Sequence, residues 1–238
     1  MSVLHAFERT VVSQIIRAGL PAASQDRAGL VYHRQLLSKD AQMALLSDVC
    51  ALVALCPLFQ PLMPRTGKPF SVAMTNCGPL GWVSDKAGYR YQPLHPVTGA
   101  PWAAMPPSLL ALWREVSGYG ADPEACLINM YAADAKMGSH QDRDESDFDA
   151  PVVSISLGDA ATFHVGGLKR TDPKVRFRLE SGDVIMLGGA SRLAFHGIDR
   201  LHGGTSPLDL AGFDPGCRRI NLTLRRVTKA HPLTKGRP

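Results

Sequence analysis

The sequence lacks the features that mark several classes of protein. It has no Cys-x-x-Cys pair, and its five cysteines are an odd number that does not indicate a disulfide framework. Its longest uninterrupted apolar run, Val49 to Cys56, is too short to cross a bilayer. The N-terminal residues do not follow the order of regions typical of a signal peptide. We therefore expect a reduced, cytoplasmic protein without a membrane partner.

The chain also shows no internal repeat and no low-complexity segment, and its 238 residues suit one large domain with short appendages. Hydrophobic residues make up 45% of the sequence, which is enough for a substantial core. The formal net charge of +5 permits an anionic partner such as nucleic acid without requiring one. We divide the chain into an N-terminal extension (1–28), a single domain (29–228) and a basic C-terminal tail (229–238).

Two helices are predicted in the first half of the domain. Ser38 is a suitable N-cap for the first helix, and Pro57 ends it. The second helix is predicted from Pro107 to Ser117, with proline at its start. The apolar face of the first helix is predicted to contain Met43, Leu46, Val49, Val53 and Cys56.

The stretch between the two helices, about residues 57–105, is rich in glycine, proline and aromatic residues. Its rings have two interpretations, because loop aromatics can form a binding surface or can simply anchor the loops in the core. The residues alone do not decide between them. The aromatic residues of this stretch include Phe70, Trp82, Tyr89, Tyr91 and Trp102.

From about residue 125 to 227 the pattern becomes β. About seven short alternating segments are separated by glycine-rich turns, which indicates a barrel or a sandwich. One of them, Arg192 to His196, is predicted to be an apolar strand that ends in a histidine. A jelly roll would suit a metal site, because strands from two sheets can direct ligands inward.

The most distinctive stretch is Ser139 to Asp144, which contains a His-x-Asp pair. On an extended segment the side chains of His140 and Asp142 point to the same side and can converge on one metal. Two histidines and one carboxylate form the facial triad of non-haem Fe(II) oxygenases. For the third ligand we favour His196, beside Gly197, over His164, because a ligand on a rigid strand keeps its geometry best.

The last predicted strand carries polar residues on one face. Arg219, Asn221, Thr223 and Arg225 alternate with apolar residues. Taken alone, this pattern fits an ordinary amphipathic strand with its polar face in water. A guanidinium, however, receives a carboxylate with two hydrogen bonds, so two arginines beside an iron site would indicate a dicarboxylate co-substrate.

With its His-x-Asp pair, its aromatic stretch and its last polar strand, the sequence resembles the AlkB family, the iron- and 2-oxoglutarate-dependent dealkylases that repair alkylated nucleic-acid bases. The resemblance covers roughly Leu30 to Arg226. It implies an α+β fold with a mainly β core, a double-stranded β-helix (jelly roll) with flanking N-terminal helices and an aromatic nucleotide-recognition lid at about 57–105. The strongest blocks are 71–78, 126–131, 140–145, 166–170, 196–198 and 219–225.

The resemblance also implies roles for individual residues. The iron ligands would be His140, Asp142 and His196. The 2-oxoglutarate contacts would be Asn129, Tyr131, Arg219, Asn221 and Arg225. The substrate contacts would be Met74, Trp82, Tyr89, Tyr91, Asp144 and Arg170. Candidates for phosphate contact are Lys68, Arg90, Lys169 and Arg170.

The implied activity is the oxidative dealkylation of bases such as 1-methyladenine and 3-methylcytosine in DNA, preferably single-stranded. Fe(II), 2-oxoglutarate and O2 would be required, and formaldehyde, succinate and CO2 released. RNA stays open as a second substrate, and we expect a monomer. Leu187 and Ile220 stand where the family has aromatic residues, and the loop at 201–210 is longer, which leaves the substrate preference open.

Two alternatives are weighed against this interpretation. The first is a 2-oxoglutarate- and Fe(II)-dependent hydroxylase that acts on a protein or a small molecule; the aromatic lid and Asp144 argue against it. The second is a jelly-roll binding module without catalytic activity. The complete set of two histidines, one aspartate and two arginines argues against that module.

Overall fold

The computed structural model describes residues 24–213 and 216–230. Most of the N-terminal extension and most of the basic tail therefore lie outside the described residues. The two α-helices of this part are α1 (Lys39–Leu55) and α2 (Pro107–Ser117). The strands are β1 (Ser24–Arg27), β2 (Leu30–His33), β3 (Val72–Cys77), β4 (Gly81–Asp85), β5 (Gly88–Gln92), β6 (Ala125–Tyr131), β7 (Met137–His140), β8 (Val152–Gly158), β9 (Ala160–Val165), β10 (Val175–Leu179), β11 (Val184–Leu187), β12 (His196–His202) and β13 (Arg219–Arg225).

The strands form two main sheets and one separate hairpin. The larger sheet has seven strands in the order β1-β2-β11-β8-β13-β6-β3, and the smaller sheet has four in the order β10-β9-β12-β7. β4 and β5 pair only with each other in these sheets. One apolar core lies between the two sheets, and a second lies between the larger sheet and the helices. This is the predicted mainly β architecture with flanking helices.

The alternation along β13 gives its two faces to different environments. Ile220, Leu222 and Leu224 are buried in the core beneath the helices. Successive side chains of a strand point to opposite faces, so Arg219, Asn221 and Arg225 point into the space between the sheets. The polar face of this strand is therefore turned toward the interior, and the interpretation as a water-facing amphipathic strand is wrong.

The first helix begins as predicted but buries a different face. The Ser38 hydroxyl accepts a hydrogen bond from the Ala41 backbone N–H at 3.2 Å. Met43, predicted on the buried face, is 53% exposed. The polar Gln42 is buried instead, because its amide binds the Leu37 carbonyl at 3.0 Å and the Ser181 hydroxyl at 2.6 Å. The residues of α1 that are buried are Ala41, Gln42, Leu45, Val49 and Leu52.

The strand predicted from Arg192 to His196 does not form. A short 3-10 helix, Gly189–Ser191, is followed by a turn, and β12 begins rather than ends at His196. The segment reads as apolar because the turn is buried, with Ala194 only 1% exposed. His196 thus stands at the first position of a strand that continues to His202.

Candidate active site

His140, Asp142 and His196 meet at one end of the smaller sheet. β7 and β12 are antiparallel neighbours, and His140 lies directly opposite His196 in their register. The two rings are 4.4 Å apart between centroids. Gly197 permits this approach, because a Cβ at that position would collide with the Met137 carbonyl oxygen of β7. Two distant parts of the sequence, His140 with Asp142 and His196, are thereby brought together.

The distances between these groups suit a shared metal better than direct hydrogen bonds. His140 Nε2 is 3.8 Å from Asp142 Oδ1, and His196 Nε2 is 3.7 Å from Asp142 Oδ2. Both distances exceed those of a hydrogen bond. One donor atom from each residue can be chosen so that all three lie within 4.8 Å of one another. Ligands with metal bonds of about 2.1 Å stand about 3 Å apart or more, so a small contraction would complete a coordination site.

The protonation of the two histidines also suits a metal. Nδ1 of His140 donates to the Gly138 carbonyl at 2.8 Å, and Nδ1 of His196 donates to the Ala194 carbonyl at 2.9 Å. Because a carbonyl only accepts, the proton sits on Nδ1 and the Nε2 lone pair is left for a ligand bond. Burial, together with the nearby His140, lowers the pKa of His196 to about 4, so its ring is neutral at pH 7.

Asp142 offers one carboxylate oxygen to this site. Its Oδ1 accepts a hydrogen bond from Arg225 Nη2 at 2.8 Å. Its Oδ2 is buried and has no hydrogen-bond partner among the described residues. Burial by itself would raise the pKa of the Asp142 carboxyl, but Arg225 and the two histidines lower it below its ordinary value. Two imidazoles and one carboxylate are the donor set of a non-haem Fe(II) centre.

A cavity between the sheets extends from these three residues. Its apolar wall includes Phe163, Ile185 and Leu187. The residues predicted to contact 2-oxoglutarate all line this cavity together with the three metal-site residues. They are Asn129, Tyr131, Arg219, Asn221 and Arg225.

Arg219 is a buried cation at the other end of the cavity's polar lining. It donates from Nη2 to the Ser156 hydroxyl at 2.7 Å and from Nη1 to the Asp159 carbonyl at 3.0 Å. Its Nε has no hydrogen-bond partner, and in the part of the chain that the structure describes no carboxylate pairs with it. Burial lowers its pKa to about 10, which still leaves it charged at pH 7. A buried guanidinium in this state suits an anionic ligand.

The aromatic residues of the predicted lid divide into two groups. Trp82 stacks on Tyr89 with ring centroids 5.6 Å apart, and its Nε1 donates to Asp144 Oδ2 at 2.8 Å. Tyr89 is 51% exposed, so one face of this stack is open to solvent. Trp102, in contrast, is buried and donates to the Gln92 carbonyl at 2.8 Å. Trp102 therefore anchors its loop, whereas the exposed stack of Trp82 and Tyr89 stays a predicted binding surface.

The other predicted substrate residues have different surroundings. The Tyr91 hydroxyl donates a hydrogen bond to Glu145. Arg170 is exposed, donates to the Ser139 carbonyl and lies 4.9 Å over the Phe195 ring. Met74 is buried in β3 and does not line the cavity. Arg90, a candidate for phosphate contact, pairs with Asp85 at 2.8 Å.

His164 lies on the opposite face of the smaller sheet. It faces Gly197 in the register of β9 and β12, and its Nδ1 is 2.8 Å from Asp199 Oδ1. The structure thus places His196, and not His164, beside His140 and Asp142.

Sequence reasoning missed two buried residues next to the site, Glu145 and Arg192. Glu145 follows the His-x-Asp pair, and Arg192 lies in the turn before β12. The available signal for Arg192 was a single cation in an otherwise apolar segment, which suggests a buried partner. Glu145 had no such signal, because acidic residues are common in loops.

Residues 29–225 match the model of the 2OG-Fe(II) oxygenase superfamily. The chain belongs to the 2OG-Fe(II) oxygenase superfamily. The chain is 52% identical over 195 residues to an alpha-ketoglutarate-dependent dioxygenase AlkB homolog of Caulobacter vibrioides, covering 82% of this chain and 86% of that protein. A shorter match, 40% over 111 residues, is to the DNA N(6)-methyladenine demethylase ALKBH1C of Arabidopsis thaliana, with 44% of this chain and 24% of that protein covered.

A solved structure agrees with the superfamily assignment. OsALKBH1 superposes with a TM-score of 0.73 at 30% identity, over 86% of this chain and 99% of that one. The predicted jelly-roll fold is therefore confirmed. The protein is an Fe(II)- and 2-oxoglutarate-dependent dioxygenase related to AlkB. No helix among residues 24–213 and 216–230 is long and apolar enough to cross a membrane.

Within this superfamily, the two unusual residues noted in the sequence have different positions. Leu187 lines the cavity, so it changes the shape of the space beside the metal site. Ile220 is buried in the core beneath the helices and points away from the cavity. Of the two departures, only Leu187 can act directly on a ligand.

Proposed function

We propose that this dioxygenase removes alkyl groups from ring nitrogens of DNA bases. Its substrates would be lesions of the 1-methyladenine and 3-methylcytosine type, and its products the repaired base, formaldehyde, succinate and CO2. The relative ALKBH1C is named a DNA demethylase, and the family resemblance extends over the lid and the cavity. Both support DNA as the substrate.

The observation that carries the proposal is the pairing of an open aromatic stack with a carboxylate beside the metal site. Trp82 and Tyr89 form the stack, and Asp144 lies two residues after Asp142. Stacking on an aromatic ring contributes about 1–3 kcal/mol per base, whichever base is bound. Alkylation at these ring nitrogens leaves the base cationic, and the Asp144 carboxylate favours that charge by proximity. A neutral, non-aromatic small molecule would use neither feature.

The roles proposed for the metal and co-substrate residues follow from their atoms. His140 Nε2, His196 Nε2 and Asp142 Oδ2 would hold the iron. Arg219 would bind the distal carboxylate of 2-oxoglutarate, and Arg225 would lie near its chelating end. When bound, iron and 2-oxoglutarate supply the oxidation of the alkyl carbon by O2.

The remaining polar residues would orient the co-substrate within the cavity. Burial raises the pKa of Tyr131 to about 12, so its phenol stays protonated and can donate to a carboxylate. Asn129 lies opposite Asn221 in the register of β6 and β13. The apolar wall around them limits the water that reaches the site, which strengthens each charge-assisted hydrogen bond.

The proposed substrate must reach a cavity that a stacked base cannot enter. The target base is therefore flipped out or already single-stranded, which supports a preference for single strands. We propose RNA as a second substrate class, a monomer as the active form and the cytoplasm as the location. Cys50, Cys56, Cys77 and Cys126 carry free thiols, which supports a reducing compartment.

The test is lesion-dependent release of formaldehyde. The protein is incubated with Fe(II), 2-oxoglutarate and a single-stranded oligonucleotide that contains one 1-methyladenine or 3-methylcytosine, with the unmethylated strand as control. We expect formaldehyde with the methylated strand alone. Succinate without lesion-dependent formaldehyde would favour a hydroxylase of proteins or small molecules and would reject the repair assignment.

A further inference from the structure

Glu145 is a buried carboxylate in the loop that carries Asp142. Its Oε1 accepts a hydrogen bond from the Tyr91 hydroxyl at 2.5 Å, and its Oε2 accepts one from Arg192 Nη2 at 3.1 Å. Arg225 Nε lies 3.4 Å from Oε1. Glu145 therefore contacts three elements at the same time: the β4–β5 hairpin of the predicted lid (the lid hairpin), the turn before β12 and the last strand, β13.

Arg192 holds both ends of this loop. It is buried and donates from Nη1 to the Asp142 carbonyl at 2.7 Å and from Nε to the Ala150 carbonyl at 2.8 Å. Its guanidinium also lies 5.4 Å from the centre of the Phe148 ring. Both ends of the segment from Asp142 to Ala150 are thus held by one side chain, whose third nitrogen is held by Glu145.

Arg225 connects Glu145 to the metal ligand itself. Its Nη2 donates to Asp142 Oδ1 at 2.8 Å, while its Nε faces Glu145. A guanidinium beside a single carboxylate prefers a forked contact with both oxygens. If Glu145 were absent, Arg225 could turn toward both oxygens of Asp142 and compete for Oδ2. The Glu145 carboxylate, 3.4 Å from Arg225 Nε without a hydrogen bond to it, attracts that side of the guanidinium and so opposes this rotation.

The charges of this network balance only when all four members are present. Two carboxylates, Asp142 and Glu145, face two guanidiniums, Arg192 and Arg225, in a region closed to solvent. A buried charge that loses its partner is costly, so the loss of one member disturbs the other three. The network is next to the metal site, and a change in its charge would be felt by a divalent cation there.

We propose that Glu145 is a positioning residue for the metal centre: it keeps Arg225 on Oδ1 of Asp142, leaves Oδ2 for the metal, and ties the lid hairpin to the metal-bearing loop through Tyr91. The inference rests on the proposed assignment of His140, Asp142 and His196 as ligands. Residues that orient metal ligands typically change metal affinity by about 10- to 100-fold when replaced.

Asp147 provides a matched control in the same loop. It is also a buried carboxylate, and it accepts a hydrogen bond from a tyrosine hydroxyl, that of Tyr119, at 2.7 Å. It has no contact with Arg192 or Arg225 among the described residues. Loss of its charge should disturb the loop without changing the orientation of Arg225.

The experiment measures the affinity for Mn(II) in the absence of oxygen, together with the thermal stability of each metal-free protein. We expect Glu145→Gln and Glu145→Asp to weaken Mn(II) binding about 10- to 100-fold, and Asp147→Asn to leave it within about twofold. Glu145→Asp keeps the charge balance but shortens the side chain, so it serves even if Glu145→Gln does not fold.

The outcomes separate this inference from the function on which it rests. Unchanged Mn(II) affinity in Glu145→Asp would overturn the inference, as would an equal loss in Asp147→Asn, which would indicate general loosening of the loop. If Asp142→Ala binds Mn(II) as the original protein does, the ligand assignment itself is wrong. Loss in Asp142→Ala with normal binding in Glu145→Asp rejects only the positioning role.

Discussion

The smaller sheet carries a histidine–carboxylate cluster on each of its two faces, and the two clusters differ in one decisive distance. On the inner face, the ring nitrogens of His140 and His196 lie 3.8 Å and 3.7 Å from the oxygens of Asp142. On the outer face, His164 lies 2.8 Å from Asp199. Each carboxylate also has an arginine, Arg225 inside and Arg176 outside.

The difference shows what separates a metal site from a buried ion pair of the same residue types. His164 donates its Nδ1 proton to the Asp199 carboxylate. Its buried Nε2 also lacks a hydrogen-bond partner, but it belongs to no group of three possible metal ligands among the described residues. The inner histidines give their Nδ1 protons to backbone carbonyls and keep Nε2 for a shared partner. Ligand atoms that converge but stand too far apart for a hydrogen bond leave a space that one shared metal ion would fill.

The largest expected effect comes from removing the carboxylate of each cluster in turn. Asp142→Asn should lower Mn(II) affinity and turnover by more than about 100-fold, because even residues behind the ligands typically cost 10- to 100-fold. Asp199→Asn should leave both within about twofold. Metal titration and succinate release measure the two variants side by side. Equal losses would erase the contrast between the clusters.

The next effect concerns the arginines. Arg219→Ala should raise the 2-oxoglutarate concentration needed for half-maximal turnover about 10- to 100-fold, since hydrogen bonds to charged groups contribute about 1.5–3 kcal/mol. Arg176→Ala, which removes the same charge from the outer face, should leave that concentration unchanged. An effect of Arg219→Ala on oligonucleotide affinity alone would mean that the co-substrate lies elsewhere.

The smallest effect is the contribution of His164, in the outer cluster, to a pH dependence of stability that His196 shares, because the pKa of His196 is lowered to about 4. Burial lowers the pKa of His164, although Asp199 opposes the shift, and the nearby Lys174 and Arg176 add to it. Near and below pH 6.5, the ordinary pKa of a histidine, His164 therefore binds more protons in the unfolded chain than in the folded protein. The free energy of unfolding should fall as the pH falls from 7.5 toward 5. Urea unfolding of the metal-free protein should show a smaller fall in His164→Gln. An unchanged slope would mean that His164 is not the group responsible.

The sequence was sufficient for the parts of the site that depend on local periodicity. The spacing of His140 and Asp142, and the alternation from Arg219 to Arg225, follow from the period of a strand, and each set shares one side in the structure. Which histidine joins them depends on which face of the sheet is inside, and that is decided by packing. The preference for His196 rests on its place in a rigid strand; the predicted strand from Arg192 to His196 does not form, but His196 begins β12 instead.

The parts that could not be predicted are those in which a polar group takes a core position. Gln42 occupies the buried face of α1 because Ser181 and Leu37 satisfy its amide, and no local pattern reveals partners so distant in sequence. Glu145 and Arg192 are hidden for the same reason, since each has its buried polar partners far away in the sequence. Hydrophobic periodicity identifies apolar faces, and it cannot identify polar pairs that form in the interior.

The position of β13 has a consequence for how the protein comes off the ribosome. It is the last of the described strands, yet it lies in the middle of the larger sheet, between β8 and β6. Until β13 leaves the ribosome, no strand connects β8 to β6, and the larger sheet stays divided into two parts. The same strand carries Arg219 and Arg225. Completion of the larger sheet and arrival of the two cavity arginines are therefore a single event in synthesis. A nascent chain cannot form the complete sheet while its cavity still lacks these charges.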